Sequence, residues 1–562
     1  MNSPRNLLLI ALLFISYLLW MEWQKDYGQP PAEQASSTAP ATPAAQPPAD
    51  IPEAAAPAAP APEAATAGGN GSAAPASQRV VVTTDVLRVE IDTRGGSVAV
   101  ADLLDYPEDT GDPTPVRLFD DRAATYFEAQ SGLVSATGPA PDHQAIFQAE
   151  QTEYRLAEGA DTLEVPLTWT DPSGLGVRKV FTFQRGSYVI DQRQDIDNAS
   201  SQAWAGNAYR QLQRVPPVLD TSGIKGYANT ARYSFAGAAI YSPEDKFEKL
   251  KFDNFAKEPL DKSFAGGWAA MLQHYFFAAW IPPADETDQY VTRILSVDGS
   301  QRYLIRTLTP PIQVAPGASA TESARLYVGP KLQSTLGDIA PGLALTVDYG
   351  MLTVISEPLH WILAQFHKLT GNWGFAIILL VLLIKAVFFK LSEAQYRSMA
   401  KMRKLQPRIA ALKERYGDDR QKMNTAMMEL YKKEKANPLA GCLPMLIQIP
   451  VFFALYWVLL ESVELRQAPF VGWIQNLTAP DPYYVLPVLN GLIMVATQFL
   501  TPMAGMDPTQ AKMMKIMPVI FAVVFAFFPA GLVLYYTVNG GLSLLQQWII
   551  TRRIEGGQKA RA

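Results

Sequence analysis

The sequence predicts a multi-span α-helical membrane protein that carries a large all-β domain outside the bilayer, and three observations predict it. The net charge of −5 over 562 residues divides unevenly: residues 22–367 hold 25 Lys and Arg against 42 Asp and Glu, a net of −17, whereas residues 368–562 hold 22 against 11, a net of +11. The basic part also carries nearly all the long apolar runs. The acidic part consists largely of short runs rich in Val, Ile, Thr and aromatic residues, separated by turn residues. Composition excludes collagen-like, disulfide-stapled and wholly disordered classes, and the single cysteine, Cys442, cannot form an intramolecular bridge.

The elements follow in order. Residues 7–20 read LLLIALLFISYLLW, preceded by Arg5, and Met21, Glu22 and Trp23 stand where a cleavable leader would place small residues, so 1–27 is expected to be an uncleaved transmembrane anchor. Residues 28–78 are an Ala/Pro-rich tract with almost no large apolar side chain, expected to be a disordered tether because it cannot bury a core. From Arg79 to residue 342, β-rich runs such as Leu87-Arg88-Val89-Glu90-Ile91 and Val177-Arg178-Lys179-Val180-Phe181 alternate with turns such as Asp171-Pro172-Ser173-Gly174, the pattern of an antiparallel sandwich.

In residues 343–368, Leu343, Val347, Met351, Val354, Pro358, Trp361 and Phe366 recur at roughly helical spacing. This segment is either an amphipathic helix in the outer interface or a lead-in to the next span. Five apolar runs follow, at 371–389, 443–460, 483–500, 511–528 and 532–550. At roughly 18 residues, each would be about 27 Å long, short for a hydrocarbon core of about 30 Å. With the anchor they make six expected spans: the second within 369–391, the third to sixth within 441–551.

Lys and Arg set the orientation. The loop 392–440 carries twelve of them, the loop 461–482 only Arg466, and the tail 552–562 four. Six spans with both termini in the cytoplasm satisfy the positive-inside rule at every loop and put the acidic domain outside, in the periplasm of a cell with two membranes.

No catalytic constellation stands out in the β domain, and His143, His274, His360 and His367 have no metal-ligand spacing. A carbohydrate-binding or mutarotase-like function tethered to the membrane is the rival reading, resting on fold analogy alone. Chemistry concentrates instead at Lys385, near the cytoplasmic end of the second span. It either snorkels to the inner interface or faces a wet cavity. Gln448 in the third span, Thr497 and Gln498 in the fourth, and Tyr535, Tyr536, Thr537 and Asn539 in the sixth favour the cavity, because together with one lysine they would line a hydrophilic groove of positive potential.

In the loop, Met399, Met402, Leu405, Ile409 and Leu412, then Met423, Met427 and Leu430, follow a 3–4 spacing interrupted at Gly417-Asp418-Asp419, so 392–440 is expected to be a basic helical hairpin. Its Met face would form the helix seam or meet an adaptable apolar partner, and basic residues such as Arg403 and Lys404 would meet anionic lipid or ribosomal RNA. No Gly-x-x-x-x-Gly-Lys-Ser/Thr loop is present, so no nucleotide-driven engine is encoded, and no cofactor is expected.

Several motifs carry a resemblance. Gly371-Asn372-Trp373-Gly374, Ser398-Met399-Ala400-Lys401-Met402, Asn437-Pro438-Leu439-Ala440-Gly441-Cys442-Leu443-Pro444, Asp481-Pro482-Tyr483-Tyr484 and Pro529-Ala530-Gly531-Leu532-Val533-Leu534-Tyr535-Tyr536 closely resemble the YidC/Oxa/Alb family of membrane protein insertases, and Gly267-Trp268-Ala269-Ala270-Met271-Leu272-Gln273-His274-Tyr275-Phe276 resembles the periplasmic domain of its Gram-negative type. The resemblance implies a β-supersandwich, an interfacial helix and a five-helix insertase core that is not an enzyme. It implies partners: nascent inner-membrane proteins, the Sec translocon with its accessory subunits, the ribosome and signal recognition particle pathway, and membrane lipids. It also implies one groove charge, usually arginine, at the position of Lys385. Lysine keeps the charge and loses the planar fork. Gln448, Gln498, Tyr535, Tyr536 and Asn539 would line the groove, and a substrate would slide into lipid past Val451, Phe452, Val519 and Phe525.

Overall fold

The computed structural model describes residues 50–53, 77–136, 138–217, 231, 234–297, 299–417, 419–434, 443–500 and 508–559. The expected first span, most of the tether and the motif around Cys442 lie outside them, as do the side chains of Met399 and Arg403.

Two stacked sheets form the β domain. In the eleven-stranded sheet the main path of hydrogen-bonded neighbours runs Asp261–Ala265, Thr287–Val297, Ser300–Leu308, Trp204–Arg214, Phe127–Val134, Ser97–Pro107, Leu87–Asp92, Arg79–Thr83 and Glu153–Arg155. In the nine-stranded sheet the path is Lys246–Leu250, Gly237–Ser242, Trp268–Leu272, Phe276–Ile281, Ser319–Pro330, Val189–Asn198, Leu175–Gln184, Thr162–Thr170 and Gln148–Ala149. Pairing is antiparallel except between Arg79–Thr83 and Glu153–Arg155.

Alternation decides the register of the first strands. Val80, Val82, Leu87, Val89 and Ile91 point into the core while Arg79, Arg88 and Glu90 point out, and a one-residue slip would reverse both sets. The hairpin Trp268–Leu272 and Phe276–Ile281 is buried at every position, so its sequence is a near-continuous apolar run. Trp268 Nε1 donates to the carbonyl of Pro341, just past a short helix, α1 (Gln333–Ile339), whose Leu336 is buried in the same core.

Eight helices follow among the described residues: α2 (Thr353–Thr370), α3 (Trp373–Val387), α4 (Phe389–Tyr416), α5 (Arg420–Lys433), α6 (Leu443–Glu461), α7 (Val485–Leu500), α8 (Pro508–Phe525) and α9 (Ala530–Lys559). Short 3-10 turns at Leu343–Thr346 and Gly350–Leu352 precede α2, so the regular helix begins ten residues after the start of the expected amphipathic segment.

The Gly371-Asn372-Trp373-Gly374 motif makes the corner between α2 and α3. Gly371, at φ 65°, ends α2 in the left-handed conformation that a side chain disfavours, and its N–H returns to the carbonyl of His367. Asn372 Oδ1 accepts from the N–H of Phe375 at 3.2 Å as the cap of α3, while its Nδ2 donates to the carbonyl of Phe470 at 2.9 Å. Trp373 stacks on His367, and a Cβ at Gly374 would lie 2.0 Å from the Phe470 ring. The four residues thus cap two helices and bind them to the loop that precedes α7.

Small residues bring the other helices together. Gly491 on α7 lies against Ala522 on α8, and Gly540 and Gly541 on α9 lie against Ile493 on α7. The helices dock on the β domain through loop 462–484 and the end of α6. His274 Nε2 donates to the carbonyl of Leu460 at 3.0 Å, and Arg466 Nη2 donates to the carbonyl of Glu108 at 2.9 Å. Burial pushes the His274 imidazole down to about 3, so it serves this contact as a neutral donor.

α4 and α5 form a hairpin, broken between Tyr416 and Arg420 and capped by Asp419, which accepts from the N–H of Lys422 at 3.0 Å. Met402 and Met427 pack against buried Leu405 and Ile409 in its seam, and Arg408 bridges to Glu434 at 2.6 Å. Met423 is half-buried and Lys404 exposed.

Among the described residues no single helix is both long and apolar enough to cross a membrane; α3 with residues 389–398 of α4 passes together, as a pair bent by 65°. The run expected to continue straight to residue 389 therefore stops at Val387 and turns.

Candidate functional site: the Lys385 cavity

Lys385 sits in the last turn of α3, where a cation is favoured by the unpaired carbonyls of the helix end. Its Nζ donates to Ser543 Oγ on α9 at 2.7 Å, and Ser543 Oγ donates in turn to the carbonyl of Asn539 at 2.7 Å. The bend after Val387 swings α4 away and opens a cavity of about 450 Å³ between α3, the start of α4 and the second half of α9. Leu382, Ala386, Leu542 and Ile549 give it apolar walls, while Lys385, Glu393, Arg397, Gln546 and Arg553 give it polar ones. Glu393 pairs with Arg397 at 2.6 Å, which leaves Lys385 and Arg553 as its net charge. The buried Gln546 Nε2 has no hydrogen-bond acceptor. A cavity with two positive charges, a spare amide donor and apolar walls suits an amphipathic segment bearing a carboxylate.

The expected groove lining lies elsewhere. None of Gln448, Gln498, Tyr535, Tyr536 and Asn539 lines the cavity at Lys385. Tyr535 is buried, and Gln448, Gln498, Tyr536 and Asn539 are half-buried on α6, α7 and α9. The reason is the face of α3 that carries Lys385: it meets the second half of α9 at Ser543, whereas the expected lining residues lie on α6, α7 and the first half of α9. Asn539 keeps a link, as the carbonyl that anchors Ser543.

The expected slide residues divide. Val519 is 61 % exposed on α8, and Val451 and Phe452 are half-buried on α6. Phe525 is not on an open surface, being 6 % exposed with its ring 4.5 Å from Tyr536 and 5.8 Å from Phe528. Phe452 reaches the same Tyr536 ring at 4.9 Å, so one aromatic cluster joins α6, α8 and α9 where lining and slide were expected to be separate.

Sequence reasoning missed Ser543, Gln546 and Arg553. The signal was available in part: Tyr536, Asn539, Ser543 and Gln546 follow a 3–4 spacing and share one face of α9. Glu393 and Arg397 join the site only through the bend.

Comparison with known proteins covers both halves. The chain matches the YidC periplasmic domain over residues 79–362 and the 60Kd inner membrane protein family over residues 365–558. It is 48 % identical over 559 residues to the membrane protein insertase YidC of Methylococcus capsulatus, covering 99 % of each chain. It is also 48 % identical over 572 residues to the protein of that name from Thioalkalivibrio sulfidiphilus, covering 100 % of each. A solved structure described as an active YidC insertase with the first transmembrane domain resolved aligns with 84 % of this chain and 92 % of its own, at 20 % identity and a TM-score of 0.37. With both domains matched in order and relatives collinear from end to end, the chain belongs to the YidC family of membrane protein insertases.

Proposed function

We propose that the chain is an insertase and folding chaperone that moves nascent transmembrane segments from the cytoplasm into the inner membrane, alone or beside the Sec translocon, with the ribosome and the signal recognition particle pathway delivering substrate. The observation that carries this reading is Lys385 in its cavity, a charge held by one serine and opening onto space that a peptide segment can enter. The collinear relatives named as insertases disfavour a mutarotase-like function.

In this reading the chain crosses the membrane six times: once in residues 1–27, once as the bent α3–α4 pair, and once each as α6, α7, α8 and α9, with both termini in the cytoplasm. Leu382 on α3, Phe453 on α6, Val488 and Leu492 on α7, and Val519 and Val523 on α8 are all exposed, a surface that hydrocarbon covers and water does not favour. Met351, Val354, Trp361 and Leu369 are likewise exposed on and before α2, as suits a helix lying in the outer interface.

The physical task is to carry a polar segment across hydrocarbon, where each unsatisfied backbone group costs several kcal/mol. A polar cavity partway through the bilayer shortens that crossing. Lys385 and Arg553 attract acidic residues of the arriving segment, Gln546 Nε2 donates to its backbone, and Asn539, Tyr536, Gln448 and Gln498 continue the polar path outward. The segment's apolar face leaves past Val451, Phe452 and Val519. Burial of its apolar residues in lipid drives release without nucleotide, and the membrane potential adds ~2.3 kcal/mol per charge per 100 mV for an acidic tail moving outward.

Site-specific crosslinking from positions 451 and 519 to a stalled nascent chain tests the exit route. Adducts at both positions, reduced in Lys385→Glu for a substrate with an acidic tail, are expected; adducts insensitive to that substitution would sink the groove-charge mechanism.

A further inference from the structure

Asp50 to Glu53, in the middle of the Ala/Pro-rich tract, lie on the β domain, which corrects the expectation that the whole of 28–78 is a free tether. These residues also stand apart in the sequence. Between Gly28 and Arg79, Ile51 is the only aliphatic residue larger than alanine or proline, and Asp50 is the only aspartate.

Asp50 lines a cavity of about 750 Å³ together with Tyr126, Gln130, His143, Gln213 and Arg302. A connected polar network runs behind two of its wall residues, Gln130 and Tyr126. Arg306 Nε donates to Gln211 Oε1 at 2.8 Å, Gln211 Nε2 donates to Gln130 Oε1 at 2.7 Å, and Gln130 Nε2 donates to the Tyr126 hydroxyl at 3.2 Å. Gln130, His143, Gln211, Gln213 and Arg306 are all buried, a concentration of polar side chains that a purely structural sandwich core does not need.

Two donors hold Asp50. His143 Nε2 lies 3.1 Å from Asp50 Oδ2, and Arg306 Nη2 donates to the Asp50 carbonyl. An ionised Asp50 carboxylate only accepts, so Nε2 is the N–H that faces it, while Nδ1 lies 2.6 Å from the Tyr209 hydroxyl, which also accepts from the backbone N–H of His143 at 2.9 Å. The bond from Nε2 holds the Asp50 carboxyl below its usual range. Two donors of the lining residues remain over: Arg302 stacks on Tyr126 at 3.6 Å and its buried Nε has no acceptor, nor has the buried Nη1 of Arg79.

We propose that His143 and Arg306, at the edge of this cavity, form a latch for the chain's own Asp50, and that this carboxylate contact holds the tract on the β domain in cis. The tract is then fixed to the β domain at its midpoint, so the reach between residue 27 and the domain spans roughly half as many residues as a tether attached only at Arg79.

The test uses the full chain with Cys442→Ser and spin labels at Glu53→Cys and Glu150→Cys. One narrow distance is expected, becoming broad in Asp50→Ala, a change in the tract that leaves the β domain intact. A broad distribution before that substitution, or a narrow one after it, would overturn the proposal. A labelled peptide Pro-Ala-Asp-Ile-Pro-Glu should bind the Asp50→Ala chain and lose at least tenfold in affinity when its aspartate is replaced by asparagine; equal affinity of the two peptides would show that the site does not read a carboxylate.

Discussion

Lys179 in the β domain and Lys385 in the helical region are both taken out of water, and they differ in what surrounds the ammonium. Lys179 Nζ donates to the carbonyl of Gly95 at 2.6 Å and to the carbonyl and hydroxyl of Ser131 at 3.0 Å each, and it lies 5.0 Å from the centre of the Phe147 ring. Its three acceptors match its three donors, and the side chain is fully buried. Lys385 donates to one serine and otherwise opens onto a cavity. The first lysine ties the two sheets together, whereas the second has donors to offer an incoming group. Burial alone does not separate the two; unspent hydrogen-bonding capacity beside open space does.

Exchanging the two lysines' roles by mutation is the strongest way to break that comparison. Lys385→Glu should reduce insertion of substrates with acidic outer tails by tenfold or more in a reconstituted vesicle assay, with thermal stability nearly unchanged, and Lys385→Arg should preserve insertion. Lys179→Met should do the reverse, costing about 3 kcal/mol of stability because buried carbonyls lose their donor. Denaturant unfolding followed by circular dichroism measures it, and activity should fall only in step with folding.

The pH dependence sharpens the same contrast. Burial pushes the Lys179 ammonium down to about 7, below its ordinary value near 10.5. Between those values the unfolded chain holds a proton that the folded chain has released, so stability rises with pH across this window and levels off beyond it. A gain of roughly 2–3 kcal/mol from pH 7 to pH 9 is expected. The same titration on Lys179→Met should lose this component; an unchanged slope would mean that Lys179 stays charged in the core.

Smaller effects lie at the corner and the hairpin. Asn372→Ala removes a helix cap and the bond to Phe470, and should lower stability by about 1–2 kcal/mol, seen as a fall in melting temperature. Deleting 403–435 should weaken co-sedimentation with ribosomes several-fold while leaving crosslinks from position 519 in place. Retained co-sedimentation would remove the hairpin from the recruitment role.

Much of the architecture was legible because it depends on short-range pattern. Val80, Val82, Leu87, Val89 and Ile91 alternate as a half-buried strand must, and the basic loop carries its own break at Gly417-Asp418-Asp419. The site was legible in one residue and obscure in its neighbours. Lys385 is conspicuous in any apolar run, but its partners depend on the direction it faces, and no periodicity encodes the 65° turn after Val387. Phe525 illustrates the same limit: its apolarity marks it equally for lipid contact and for the Tyr536 cluster that holds it.

The sequence by itself determined the two-part charge division, the β-then-helix order, the extent of the apolar runs and the presence of one lysine within them, because each depends on residue type and spacing along the chain. Only the tertiary structure decided that Lys385 meets Ser543, that the cavity opens beside α9, and that Asp50 lies on His143. Those contacts join residues separated by about 90 to 160 positions, and their geometry depends on helix crossings and sheet packing that many side chains set jointly.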